Sequence, residues 1–332
     1  MHSKSLPLSE LVTLVYMTAL VLTLALVGCR PDSEPTAADT APEVTERVSP
    51  APAPVVLPVV EPVQPPAPTV VTPVTYEEAE AAWNERDYVR ATELFTRYID
   101  QKPENPWGHY MLGLSARKAG ELEIAELAFR ETLMLDDTHV KSWQNLARTL
   151  LDGGRSDDAL SVLIEADSLS PENGINHRLR GRALHQAGEL ISAADAYREA
   201  ILINESDAWA INNLALVLVD DKRYEQALTA LAQAVSIAPD NATFQNNLGM
   251  ALELRGFFRA AELAYGRAVD LNIDYERAQS NLDRVVAVEG IDPSEISIET
   301  LAQAFIDEVN TWRDEYVARE LGPAPELTDV DS

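Results

Sequence analysis

"INNLALVL", residues 211–218, sets two amide side chains ahead of a Leu-Ala pair in a stretch that otherwise reads as buried helix. Close variants stand at 144–150 ("QNLARTL"), 245–252 ("QNNLGMAL") and 280–286 ("SNLDRVV"). Working outward from these strings, the chain repeats every 34 residues, without insertion or deletion, in units that start at 72, 106, 140, 174, 208, 242 and 276. The eighth place of each full unit holds Ala79, Gly113, Ala147, Gly181, Ala215 or Gly249. The twentieth is always alanine: Ala91, Ala125, Ala159, Ala193, Ala227 and Ala261. The twenty-fourth is large: Phe95, Phe129, Leu163, Tyr197, Leu231 and Tyr265.

Each place has a physical reason. Small residues at places 8 and 20 let two antiparallel helices touch where they cross, and the large residue at place 24 fills the space towards the next helix. Glycine near place 15 (Gly120, Gly154, Gly188, Gly256) permits the turn between them. Pro103, Pro171 and Pro239 close three units, because proline cannot continue a helical hydrogen-bond ladder. One unit cannot bury its apolar face alone, so the units must stack into a solenoid.

The period, the small and large places and the closing prolines resemble the tetratricopeptide repeat over about 72–286. The resemblance implies an all-α, right-handed superhelical solenoid of about six repeats over 76–289, ended by C-terminal capping helices. The first unit departs most, with Glu78 at place 7 where leucine is usual, and reads as a degenerate N-terminal cap. Residues 276–289 read as the solvating helix that ends such arrays, with Asp283 replacing the usual small residue.

The ends differ in kind. Residues 11–27, "LVTLVYMTALVLTLALV", form an apolar run suited to a signal-peptide core or a short membrane anchor. "LVGC" (26–29) resembles the lipobox of bacterial lipoproteins, which implies a signal peptide over 1–28 and a lipid on Cys29, the only cysteine. Within residues 29–75, the stretch from residue 30 on holds 12 of the 20 prolines and reads as a disordered, extended tether. At about 3.1 Å per residue it could reach roughly 140 Å. Residues 290–332 read as an amphipathic helix and an acidic tail. The helix opens at "DPSE" (292–295) and carries Leu301, Phe305, Val309, Trp312 and Tyr316 on one face. It is expected to pack on the end of the solenoid, the alternative being a plug in the groove.

Net charge is −28, which repels phosphate backbones and anionic lipid and argues against nucleic acid as a partner. No catalytic constellation, metal-ligand spacing or phosphate loop appears, so an enzyme, a metal, a cofactor and a small-molecule substrate are not expected. His109 and His177 share place 4, a bulky packing position.

The resemblance further implies that places 2, 5, 6, 9, 12 and 13 line a concave surface. Place 6 then carries Asn145, Asn213, Asn247 and Asn281, broken by Leu179, and place 5 adds Asn212 and Asn246 beside Gln144. An amide offers an acceptor and two donors, so the row could grip the backbone of an extended peptide. It resembles the asparagine ladder in the repeat domain of protein O-GlcNAc transferases. In units two to four the same places hold Arg117, Lys118, Lys141, Arg148, Arg178 and Arg182 against one acid, Asp152. Such a basic strip favours acidic peptide segments through Arg–carboxylate pairs, with Trp107 and Tyr110 as an apolar landing.

The sequence therefore describes a lipid-anchored scaffold of the cell envelope, expected at the outer membrane facing the periplasm, that binds extended segments of partner proteins. Six repeats behind a lipobox also resemble assembly lipoproteins of type IV pili and Tad secretion. A regulatory subunit of an envelope enzyme is the alternative of another class.

Overall fold

A computed structural model of the chain describes residues 73–288 and 296–321, which fall in one compact unit, Thr69–Ser332. The apolar run, Cys29, nearly all of the proline-rich stretch, "DPSE" and the acidic tail lie outside the described residues. Among the described residues there are fourteen helices and no strand, and no helix long and apolar enough to cross a membrane.

The helices alternate as the period requires. α1 (Tyr76–Asn84) and α2 (Tyr88–Gln101) form the first pair, and α3 (Pro106–Ala119) and α4 (Leu122–Leu135) the second. α5 (Val140–Asp152) pairs with α6 (Ser156–Leu169), and α7 (Gly174–Gln186) with α8 (Leu190–Ile203). α9 (Ala208–Asp220) pairs with α10 (Tyr224–Ile237), and α11 (Ala242–Leu254) with α12 (Phe258–Leu271). α13 (Glu276–Val286) ends the stack, and α14 (Ile298–Leu321) follows. First helices of successive repeats approach one another from α3 through α13, so they line the inside of the curve.

The crossings explain the small places. A methyl group at Gly113 would lie 2.6 Å from the Phe129 ring, one at Gly181 2.8 Å from Tyr197, and one at Gly249 2.6 Å from Tyr265. Where place 24 is leucine, as in Leu163 and Leu231, place 8 affords alanine, Ala147 and Ala215, fully buried. Place 4 has a second task besides packing. His109, Trp143, His177 and Gln245 each direct a side-chain nitrogen to the carbonyl of Pro103, Asp137, Pro171 or Pro239, at 2.8, 2.8, 3.0 and 2.9 Å. Each of these carbonyls sits just past the end of the preceding helix, where the backbone has no ladder partner. Three residue types, at four positions, thus perform one capping function.

Two departures from the repeat find their reasons. α1 begins only at Tyr76, so place 7 falls in its first turn. There Glu78 closes a capping box with Thr75, its carboxylate accepting from the Thr75 amide at 3.0 Å. Asp283 needs no small side chain because, among the described residues, no helix pairs with α13 as a second helix of its repeat. It is exposed and accepts from Gln279 at 2.8 Å.

One expectation is corrected. α14 neither sits on the end of the solenoid nor enters the groove; it lies along the second helices α10 and, to a lesser degree, α8. Ala302, Phe305 and Val309 are buried in this seam, Trp312 stacks under the Arg198 guanidinium at 5.1 Å, and Gln226 donates to Glu308 at 3.4 Å. The cause is α10 itself, "YEQALTALAQAVSI", in which Ala227, Ala230, Ala232 and Ala234 are all fully buried. A helix with alanine and leucine over this much of its circumference needs cover on more than its groove-facing side.

The core falls into two clusters that meet within repeat 4. One runs from Ala79 to Ala183 and the other from Ala193 to Val309. α7 closes the first and α8 opens the second.

Candidate functional site

The asparagines are bonded largely to one another. Asn281 donates to Asn246 at 2.9 Å, Asn246 to Asn247 at 3.4 Å, Asn247 to Asn212 at 2.9 Å and Asn212 to Asn213 at 3.2 Å. Asn213 in turn bonds the Tyr197 hydroxyl, which burial pushes up so that it stays protonated. At the far end Arg284 donates to Asn281 at 2.9 Å and to Glu253, which also accepts from Tyr265 at 2.8 Å. The Arg284 hydrogen bond holds the Glu253 carboxyl below its ordinary value. Asn145 stands apart: it donates to the Tyr110 hydroxyl at 3.3 Å and to the Lys141 carbonyl at 2.9 Å, and accepts from Arg148 at 3.1 Å.

Asn145, Asn212, Asn246 and Asn247 are buried, whereas Asn213 and Asn281 are half-buried. The row therefore joins repeats 5, 6 and 7 across their interfaces, and its amides are committed within the protein. A peptide would meet only Asn213 and Asn281 at its edge. Buried amides without such partners would cost about 1–3 kcal/mol each, which accounts for their recurrence as a connected set.

The arginines form the second part of the site. Arg117, Arg178 and Arg182 line a cavity of about 420 Å³ on the concave side, together with Leu179, Trp209 and Asn213. These residues come from three repeats, the second, fourth and fifth, which the curvature brings to one place. Asp152 bridges two of the guanidiniums, accepting from Arg117 and from Arg182 at 2.8 Å each. Asp207, the N-cap of α9, accepts from Arg178 at 3.0 Å. Arg148 has no such partner: among the described residues its guanidinium bonds only the Asn145 carbonyl oxygen. Burial, and then the nearby Arg178 and Arg117, push it down to about 10, so it stays a cation at neutral pH.

The remaining expected residues are placed unevenly. Lys141 is exposed. Trp107 is 56% exposed and meets Tyr110 and His139 edge-on, with ring centroids 5.8 and 5.5 Å away. Tyr110 is buried beneath that contact. Sequence reasoning missed Trp209, which is 47% exposed and rests edge-on against Phe244 at 4.8 Å. It occupies place 2, as Trp107 does, and that shared place was the available signal. Leu179, the apparent break in the asparagine row, is a wall of the cavity.

The tetratricopeptide repeat family matches the chain over residues 76–138, 145–208 and 212–275, more than half its length. The chain belongs to this family. It is similar to anaphase-promoting complex subunit 3 of Schizosaccharomyces pombe, 26% identical over 158 residues, which are 48% of this chain and 24% of that one. It is also similar to cellulose synthase operon protein C of Xanthomonas axonopodis pv. citri, 25% identical over 172 residues, 49% of this chain and 11% of that one. The chain thus spans a quarter or less of the length of these two relatives.

Among solved structures, the hetero-tetramer Cut9–Hcn1 of the anaphase-promoting complex aligns with TM-score 0.53 at 15% identity, covering 68% of this chain and 54% of that one. The structure of pilF from Pseudomonas aeruginosa aligns with TM-score 0.50 at 15% identity, covering 63% and 95%. At these identities the likeness is one of fold. The fold is that of a protein-interaction scaffold.

Proposed function

We propose that this protein is a scaffold held to an envelope membrane by a lipid on Cys29, and that its concave face receives extended, acidic segments of partner proteins. The observation that carries the ligand reading is the cavity lined by Arg117, Arg178, Arg182 and Trp209. Guanidiniums pair with carboxylates in a fork geometry, and a half-exposed indole beside them offers an apolar contact to the neighbouring side chain. The lipid reading rests on "LVGC" (26–29), and the destination on the envelope side follows from it. An outer-membrane site facing the periplasm is the form of this reading that suits Arg30 after the cysteine.

Two measurements test it. The full chain in mild detergent is applied to an array of peptides that differ only in Glu against Gln, at two ionic strengths. Glu-containing spots should bind more tightly, and the advantage should shrink with salt, because screening acts on charge pairs. Equal binding of the two sets overturns the acidic-ligand reading. Labelling with a fatty-acid analogue should tag the wild type and miss Cys29→Ser, and equal labelling overturns the anchor.

A further inference from the structure

The concave surface over repeats 2 to 4 holds Arg117, Arg148, Arg178 and Arg182 close enough to repel one another. Two internal carboxylates are spent on three of them: Asp152 on Arg117 and Arg182, and Asp207 on Arg178. The Nε of Arg117 is buried without a hydrogen-bond partner, so even a paired member of the cluster is incompletely satisfied. Arg148, half-buried at the centre, is left with a neutral amide oxygen alone. Beside it the Tyr110 hydroxyl accepts from Asn145 and retains its own proton for donation.

A desolvated cation among like charges is destabilising unless something compensates it. A purely structural residue at this place would be a methionine or leucine, which fills the same volume at no electrostatic cost. Its neighbour Asn145 does not require a cation, because its oxygen could accept from any donor. What is missing at Arg148 is an anion, and the fork of its guanidinium fits a carboxylate. The Asp152 carboxylate, by contrast, already lies across the two adjacent arginines in the position a ligand acid would take.

Resting on the groove reading above, we propose that Arg148 is the seat for a ligand carboxylate, and that Asp152 is a built-in competitor that weakens anion binding by occupying Arg117 and Arg182. The protein then holds a self-limiting site. Its own acid screens Arg117 and Arg182 in the free state, and a ligand gains only the charge that Asp152 leaves over.

The two residues predict opposite signs, in binding and in stability. Using the full chain, affinity is read by fluorescence anisotropy for a labelled peptide of alternating Glu and Leu and for its Gln counterpart. Arg148→Met should weaken the Glu peptide roughly ten- to a hundred-fold, the loss of one charge-assisted pairing, and leave the Gln peptide unchanged. Its melting temperature without ligand should stay or rise. Arg148→Lys should fall between, keeping the charge and losing the fork. Asp152→Asn should bind the Glu peptide several-fold more tightly and melt lower without ligand, because the arginines lose their screen.

If Arg148→Met melts lower and keeps full affinity, Arg148 is structural and the seat is refuted. If Asp152→Asn binds more weakly, Asp152 supports the site and the competitor is refuted. In both cases a wild-type preference for Glu over Gln leaves the groove reading standing. If the wild type binds both peptides equally, or neither, the groove reading falls and takes this proposal with it.

Discussion

On the concave face of repeats 2 to 4 the polar side chains are guanidiniums, partly paired with acids and open to a cavity. On the same face of repeats 5 to 7 they are amides bonded to each other and largely buried. The two regions share one 34-residue frame and one set of helix crossings. What differs is whether the polar atoms find partners inside the protein. Amides are neutral and both donate and accept, so a row of them can satisfy itself. Guanidiniums only donate and repel each other, so a row of them stays short of acceptors. The difference separates a part of the groove that holds the solenoid together from a part whose guanidiniums are left short of acceptors.

The largest expected effect removes the α14 cover, which among the described residues lies over the C-terminal half alone. Phe305→Ala should cost about 3–5 kcal/mol, a buried aromatic lost from the seam between α14 and α10. Hydrogen exchange should then lose protection in α8 to α14 while α1 to α6 keep theirs. Uniform loss along the chain would mean that the two core clusters unfold as one.

Next comes the amide row. Asn247→Ala takes the donor from Asn212 and the acceptor from Asn246 in one step, and should cost about 1–3 kcal/mol. Thermal melts check it, and the Glu-peptide affinity should not move. An unchanged melt with weakened peptide binding would return the asparagines to the ligand.

The smallest effect asks whether the halves share backbone rules. Place 15 is left-handed in both: Gly154 has φ 73° and Lys222 has φ 62°. Lys222→Gly should gain about 1 kcal/mol and Gly154→Ala should lose a similar amount, because a Cβ is disfavoured in that conformation. Denaturant titration of both variants reads the difference.

Much of this was legible in the sequence, for a physical reason. Contacts inside one repeat recur at fixed spacing, so Gly181 against Tyr197 or Ala147 against Leu163 is written in the period. Contacts between repeats depend on the rotation from one unit to the next, which the period does not record. For that reason Asn247 could be placed on the concave side and not onto Asn212, and Arg117 could not be brought to Trp209. The position of α14 was within reach. Among the second helices, "YEQALTALAQAVSI" lacks the outward charges of "LEIAELAFRETLML", and that lack marks a face needing cover. His109 and His177 were read as packing residues, and their bonds to Pro103 and Pro171 required the backbone to be seen.

The placement of α14 also has a mechanical consequence. A solenoid bends at the joints between its repeats, where few contacts resist it. At 24 residues, α14 is about 36 Å long, and it is strapped to α10 by Phe305 and Val309 and to α8 by the Arg198–Trp312 stack. It acts as a splint across the joint between repeats 4 and 5, the joint on which Arg182 and Trp209 face each other. Among the described residues no helix spans the joints between repeats 2, 3 and 4 in this way. The cavity therefore has one side braced by α14 and one side beyond its reach, so any curling of the N-terminal repeats would shift Arg117 relative to Trp209.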